Sequence, residues 1–113
     1  MKKSQQALSI LAQIKDLIES ELYCLDNSEP LKRFTGLQQI LKMHTSNFLP
    51  DSTFRVYLGE QIGKLDEYKD YFFDSQRPSP WRTHEECRSA MIKCCLLTQG
   101  LIERHAQEFE NRP

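Results

Sequence analysis

Apolar residues recur every three or four positions through four long segments of this chain, a spacing that places them on one face of an α-helix. The spacing predicts helices over residues 4–25, 29–48, 52–73 and 83–109. No segment shows sustained alternation of apolar and polar residues, and no Asn-Gly or Asp-Gly turn separates the segments, so no strands are expected. The pattern therefore predicts an all-α fold.

Each predicted helix has an apolar face that predicts its core contacts. The face of the first helix is broad enough to contact two neighbouring helices, and we expect Ser4 to cap its amino end. The second helix has the stripe Phe34, Leu37, Ile40, Leu41, His44 and Phe48, and the third, capped by Asp51 or Ser52, has Phe54, Tyr57, Leu58, Ile62, Leu65, Tyr68 and Phe72. The stripe of the fourth is Cys87, Ala90, Met91, Cys94, Thr98, Leu101, Ile102, His105 and Phe109.

The connection before the last helix is the longest one and contains the segment RPSPWRTH, residues 77–84. Pro78 and Pro80 predict a stiff, extended backbone that ends at Trp81. Thr83 and Glu86 match a capping box and predict the start of the fourth helix. Since the other connections are short, we expect a single-domain four-helix bundle, mostly antiparallel, with this proline-rich connection before its last helix.

Length and charge restrict the class of protein. A chain of 113 residues with a net charge of -1 fits one soluble domain. The charge balance does not favour a nucleic-acid binder, which usually shows a high pI. No apolar run is long enough to span a membrane, and polar residues interrupt the start of the chain where a signal peptide would need an apolar stretch. We expect a cytoplasmic protein whose four cysteines are reduced.

The cysteines and histidines do not predict a metal or cofactor site. Cys87 and Cys94 are about two turns apart, roughly 10 Å, which is too far to ligate one ion. Cysteines on apolar faces are expected to be buried, while Cys95, at the edge of its stripe, is a candidate for redox switching. His44 and His105 lie on apolar stripes and are expected to be core or boundary residues. No cofactor is predicted.

Arg77 and His84 match the spacing R-x(4-6)-H. This segment resembles the motif of HEPN-domain ribonucleases, which are small α-helical proteins. The resemblance implies metal-independent cleavage of RNA, usually by a dimer, with Arg77 stabilising the phosphate and His84 acting as acid or base. Pro78 departs from the family, in which a polar residue usually follows the arginine. The sequence therefore leaves a ribonuclease as the alternative function.

Several residues are candidates for binding another protein. Trp81 stands near Arg77 and Arg82, and tryptophan and arginine are enriched at binding hot spots. A second interpretation is that the Trp81 ring closes the end of the bundle. Val56, Gly59 and Gly63 lie opposite the core stripe of the third helix; these glycines either face solvent or meet a partner helix.

The fourth helix also has a second apolar side. Ile92 and Leu96 project away from its main stripe, so this helix is either the enclosed centre of the bundle or contacts another protein. The absence of a catalytic pattern together with these surplus apolar faces predicts a non-catalytic protein–protein interaction module. Such a module would be an adaptor, an accessory subunit, or an immunity- or antitoxin-like regulator that binds another protein or a second copy of itself.

Overall fold

Five helices are formed by the residues that the computed structural model describes, which are 2–20, 28–49, 52–72 and 80–110. The helices are α1 Lys3–Ser20, α2 Ser28–Phe48, α3 Thr53–Phe72, α4 Pro80–Arg104 and α5 Ala106–Glu110. The expected all-α fold is confirmed for these residues, none of which lies in a strand.

One core lies between the long helices. Helix α4 packs against α1 and α3, α2 packs against α1 and less extensively against α3, and the short α5 contacts α1. The largest fully buried side chains are Phe34, Phe109, Ile14, Ile18, Leu41, Leu49, Leu58, Ile62, Leu65 and Met91. Each contributes about 1.5–3 kcal/mol by leaving water, so packing rather than helix propensity stabilises the fold.

Two hydrogen bonds of buried side chains cross the helix contacts of this core. The Cys94 thiol donates to the Gln61 carbonyl at 3.0 Å and joins α4 to α3, while the Thr98 hydroxyl donates to the Cys94 carbonyl at 2.7 Å. The Gln38 amide donates to the Ile62 carbonyl at 3.2 Å and joins α2 to α3. Since an unsatisfied buried polar group is costly, these bonds favour one relative position of the three helices.

The start of α3 agrees with its predicted cap. The Arg55 N–H donates to the Ser52 hydroxyl at 3.2 Å, and the Val56 N–H donates to the Ser52 carbonyl at 3.2 Å. Of the two expected capping residues, Ser52 therefore performs this role. Asp51 lies outside the described residues.

The predicted start of the fourth helix is wrong by three residues. Helix α4 begins at Pro80, because proline in the first turn has no N–H to leave unpaired and already has a helical φ. Thr83 is therefore inside the helix, so the capping box does not form its start. Trp81 also lies in the first turn rather than at the end of an extended segment. Residues 21–25 and 73–79, including the rest of the predicted connection, lie outside the described residues.

The predicted end of this helix is also wrong, because the chain turns at His105. The His105 N–H still donates to the Leu101 carbonyl at 3.0 Å. The Glu108 N–H donates to the carbonyl of His105, three residues earlier, also at 3.0 Å, and this shorter spacing tightens the backbone. The imidazole of His105 stacks on the Phe54 ring with centroids 4.1 Å apart. The Phe109 ring meets the Phe54 ring edge-on, with centroids 6.3 Å apart. The turn brings Phe109 into the core.

The amino end of α1 is capped by the other end of the described chain. Ser4, expected to be the capping residue, is instead the second residue of the helix, and its N–H and hydroxyl donate to Glu110 Oε1 at 2.9 and 2.7 Å. The Lys3 N–H donates to Glu110 Oε2 at 3.3 Å. This carboxylate satisfies helix-terminal N–H groups and interacts favourably with the positive end of the helix dipole.

The cap makes stability depend on the ionisation of Glu110. The hydroxyl and N–H bonds from Ser4 lower the pKa of Glu110. Because the folded state lowers this pKa, the stabilisation is present above the ordinary pKa of glutamate, about 4.3, and is lost as pH falls through the folded value. We predict that Glu110→Gln lowers the midpoint of thermal unfolding by a few degrees at pH 7, measured by circular dichroism.

The same variant should lose its difference from wild type in acid, where both side chains are neutral. Ser4→Ala is the matched control, because it removes the hydroxyl donor to the same carboxylate. Its effect should be smaller when Glu110 is already replaced. A difference between Glu110→Gln and wild type that stays constant from pH 7 to pH 3 would contradict the cap.

Candidate interaction surface

Three helices expose large apolar side chains on their outer sides. The exposed fractions are 45% for Ile40 and 58% for Met43 on α2, 56% for Val56 and 48% for Tyr57 on α3, and 51% for Leu96 and 61% for Leu97 on α4. Ile40 and Tyr57 were predicted to be core residues, and the structure contradicts this. They lie at the edges of their stripes, where the 100° step per residue turns them past the neighbouring helix.

The predicted surface of α3 is open. Val56 and Gly59 are exposed and Gly63 is half-buried. A Cβ atom added at either glycine would meet nothing within 4 Å beyond the backbone of its own helix turn. Neither glycine is therefore required by a close contact with another described residue.

Leu96 and Ile92, the two residues predicted on the second side of α4, differ in their exposure to solvent. Leu96 is exposed, so this side of α4 is not enclosed at that position. Ile92 is half-buried and packs against the core, so it is not available in the way that we expected. Lys93, Leu97 and Gly100 are exposed as well, which shows that α4 is not enclosed on every side.

Helices α3 and α4 bring Tyr57 and Leu97 to the same level. Gln61 of α3 bonds to Cys94 of α4, whereas Phe54, two turns earlier in α3, stacks on His105 beyond the end of α4. Successive residues of α3 therefore meet earlier residues of α4. Tyr57 precedes Gln61 by one turn and Leu97 follows Cys94 by three residues, so the contact of Gln61 with Cys94 places Tyr57 and Leu97 within about one residue of the same level. Both side chains are exposed. The sequence interpretation did not place them together.

For the other predicted binding and catalytic residues, the structure describes at most the backbone. Arg77 lies outside the described residues. Trp81, Arg82 and His84 lie in the first two turns of α4, but their side chains are outside the description. The structure therefore gives no arrangement of Arg77 with His84.

The described histidines occupy the positions expected of boundary residues. His44 is half-buried, and burial lowers its pKa. His105 is also half-buried between the Phe54 ring and Glu108, whose Oε1 lies 2.9 Å from Nδ1. This pairing holds the imidazole at the turn between α4 and α5.

The cysteines give no support to redox switching at Cys95. Cys94 and Cys95 are free thiols, and Cys95 is only 1% exposed. Burial raises the pKa of Cys95 to about 12, so the thiolate that reacts with oxidants is scarce. The expectation that this thiol is reachable is wrong. Cys24 and the side chain of Cys87 are outside the description, and among the described residues no group of three or more His, Cys, Asp or Glu could hold a metal ion.

A cleft of about 230 Å³ lies between α1 and α4, with Cys95 among its lining residues. Its polar side chains bond to neighbours on their own helices: Lys15 Nζ donates to Glu19, and the Gln99 amide donates to Glu103, both at 2.8 Å. They do not converge on a common point inside the cleft. This arrangement does not form a nucleophile with an adjacent base.

Comparison with protein-family models, curated proteins and solved structures gives no match. In the described part of the chain, none of the helices has the length and apolar character needed to cross a membrane. The described part of the chain is therefore all-helical and exposes large apolar side chains on α2, α3 and α4.

The open glycines of α3 lead to a prediction about stability. Glycine costs about 1 kcal/mol relative to alanine inside a helix, and neither Gly59 nor Gly63 has a neighbour that an added methyl group would strike. We predict that Gly59→Ala and Gly63→Ala each raise the free energy of unfolding by about 0.5–1 kcal/mol, measured by urea denaturation.

Gly36→Ala is the matched control, because Gly36 lies on the exposed side of α2 and is equally open. It should raise stability by a similar amount. A loss of stability confined to the two α3 variants would show that these glycines are needed for a contact inside the chain and would contradict the description of an open surface.

Proposed function

We propose that this chain is a small cytoplasmic protein–protein interaction module without catalytic activity. It acts as an adaptor, an accessory subunit, or an immunity- or antitoxin-like regulator, and it is built as a mostly antiparallel four-helix bundle. The observation that carries the proposal is the exposure of large apolar residues on α3 and α4, outside the cluster of buried core side chains. Among the described residues, these side chains do not belong to that core.

Binding another protein gives this exposure an energetic reason. Covering a leucine or valine side chain contributes about 1.5–3 kcal/mol, so a partner that covers Val56 and Leu96 gains affinity from each. The open backbone at Gly59 and Gly63 allows close approach beside Val56. Trp81, Arg82 and Arg77 are further candidates for contact with the partner, because these residue types are frequent at hot spots.

The alternative function is the metal-independent, HEPN-like ribonuclease that uses Arg77 and His84. This alternative is tested by incubating the purified protein with RNA in the presence of a metal chelator and comparing the cleavage by wild type with that by His84→Ala. We predict no cleavage by either protein. Cleavage by wild type that is lost in His84→Ala would contradict a non-catalytic module and support the ribonuclease.

The interaction itself is tested with variants of the exposed residues. The tagged protein is cross-linked in an extract of its native host, and the proteins captured by wild type, Leu96→Glu and Val56→Glu are quantified by mass spectrometry. We predict that one partner is lost at least about tenfold in one or both variants, the effect of removing one hot-spot side chain. Circular dichroism checks that the variants remain folded.

Met43→Glu is the matched control, because Met43 is equally exposed but lies on α2, outside the proposed surface. It should retain the partner. Capture of the same proteins in the same amounts by all four proteins would contradict a binding role for Val56 and Leu96.

A further inference from the structure

The outer face of the α3–α4 pair has an ordered charge pattern. We define the α3–α4 face by Tyr57, Glu60 and Lys64 on α3 and by Glu86, Leu97 and Arg104 on α4. All six side chains are exposed. In α4, Glu86 and Arg104 are separated by five full turns of 3.6 residues and therefore lie on one line along the helix. In α3, Glu60 and Lys64 are one turn apart.

Both charge pairs are centred at the same level of the structure. The midpoint between Glu86 and Arg104 is Cys95, and the midpoint between Glu60 and Lys64 is Ile62. The contacts of Gln61 with Cys94 and of Phe54 with His105 set the alignment of the two helices. At 1.5 Å per residue, this alignment places Ile62 within about 3 Å of the level of Cys95.

We propose that the α3–α4 face pairs with the same face of a second copy of the chain. The twofold axis lies between the two copies, crosses the helices at right angles and passes over the level of Ile62 and Cys95. It places α4 opposite α4 and α3 opposite α3, each pair in opposite directions. Glu86 then meets Arg104 of the second copy, and Glu60 meets its Lys64. This inference rests on the proposed function and names the partner.

Other side chains on the face agree with the same axis. Tyr57 and Glu67 are also equally distant from Ile62, so the Tyr57 hydroxyl can donate to the Glu67 carboxylate of the second copy. Ala90 and Gly100 are equally distant from Cys95, and their small size lets the two α4 helices approach. Leu97 lies opposite Lys93, whose methylene stem can cover it while its ammonium group stays in water.

The balance of charge favours a second copy over an acidic or basic partner. With Glu67 and Lys93 added to the residues that define the face, there are three acidic side chains, Glu60, Glu67 and Glu86, and three basic ones, Lys64, Lys93 and Arg104, so their formal charges sum to zero. Two such faces meet without net repulsion, and their order along the helices places opposite signs together. Self-complementarity of this kind is what a twofold interface requires.

The size of the face sets the expected affinity. Arg104 lies 18 residues after Glu86, a distance of about 27 Å along α4, and two helices side by side are about 20 Å wide, which gives about 500 Å² per copy. The total, about 1,000 Å², is near the lower limit for a specific interface. The dimer should therefore have a micromolar dissociation constant.

A charge-exchange experiment tests the pairing by sedimentation equilibrium over a range of micromolar concentrations. Wild type should reach twice its chain mass of 13.3 kDa. Glu60→Lys places two basic residues together at both symmetry-related positions, and Lys64→Glu places two acidic residues together. Each should weaken the dimer at least about tenfold, while the double variant Glu60→Lys/Lys64→Glu restores opposite charges and wild-type affinity within about threefold.

Two further variants locate the interface. Leu97→Lys should give a monomer, because it places its ammonium group opposite that of Lys93 of the second copy, whereas Met43→Lys should dimerise as wild type does. Circular dichroism establishes that each variant is folded. A monomeric wild type throughout the concentration range overturns the proposal, and so do single charge variants without effect, a double variant that does not recover, or a dimer disrupted by Met43→Lys but not by Leu97→Lys.

Failure of this proposal is distinguishable from failure of the proposed function. A monomeric wild type that still selects a partner through Val56 or Leu96 overturns only the pairing of the α3–α4 face. A wild type that dimerises and shows charge rescue, but selects no other protein, supports the pairing and removes the adaptor role.

Discussion

The burial of one side of α4 between α1 and α3 is the constraint on which the other features of the structure depend. Met91 and Cys94 enter the core, and the Cys94 thiol donates to the Gln61 carbonyl across the α3 contact. This contact aligns α4 with α3, and the alignment determines which outer residues lie side by side. Leu97 and Tyr57 thus lie at nearly the same level along the two helices because of packing inside the core.

The same packing explains why the last helix is divided. A continuous helix would carry Phe109 straight past the end of the bundle, but the turn at His105 directs this ring into the core. The turn also delivers Glu110 to the amino end of α1, where its carboxylate accepts bonds from Lys3 and Ser4. One local change of backbone direction therefore connects the two ends of the described chain and satisfies a helix terminus.

The sequence was sufficient for the long helices because their apolar periodicity is strong, but it did not determine contacts between distant segments. Ser4 has the chemistry of an N-cap, yet the capping group comes from Glu110, more than one hundred residues later. Ile92 and Leu96 were both predicted to project away from the main stripe of α4, with an enclosed helix and a partner contact left open. Leu96 is exposed and Ile92 packs against the core. The 3.6-residue period alone does not say how far a neighbouring helix extends around α4. For the same reason, the sequence did not predict that the Tyr57 side chain is exposed.

We propose that the outer face of α3 and α4 is a binding surface that recognises a second copy of the chain. This pairing is tested most directly by a dilution series of amide nuclear magnetic resonance spectra from millimolar to low micromolar protein. We predict concentration-dependent shifts that cluster around Tyr57, Glu60, Lys64 and Leu97. Spectra that do not change on dilution, or shifts that cluster around Met43 on α2, would contradict it.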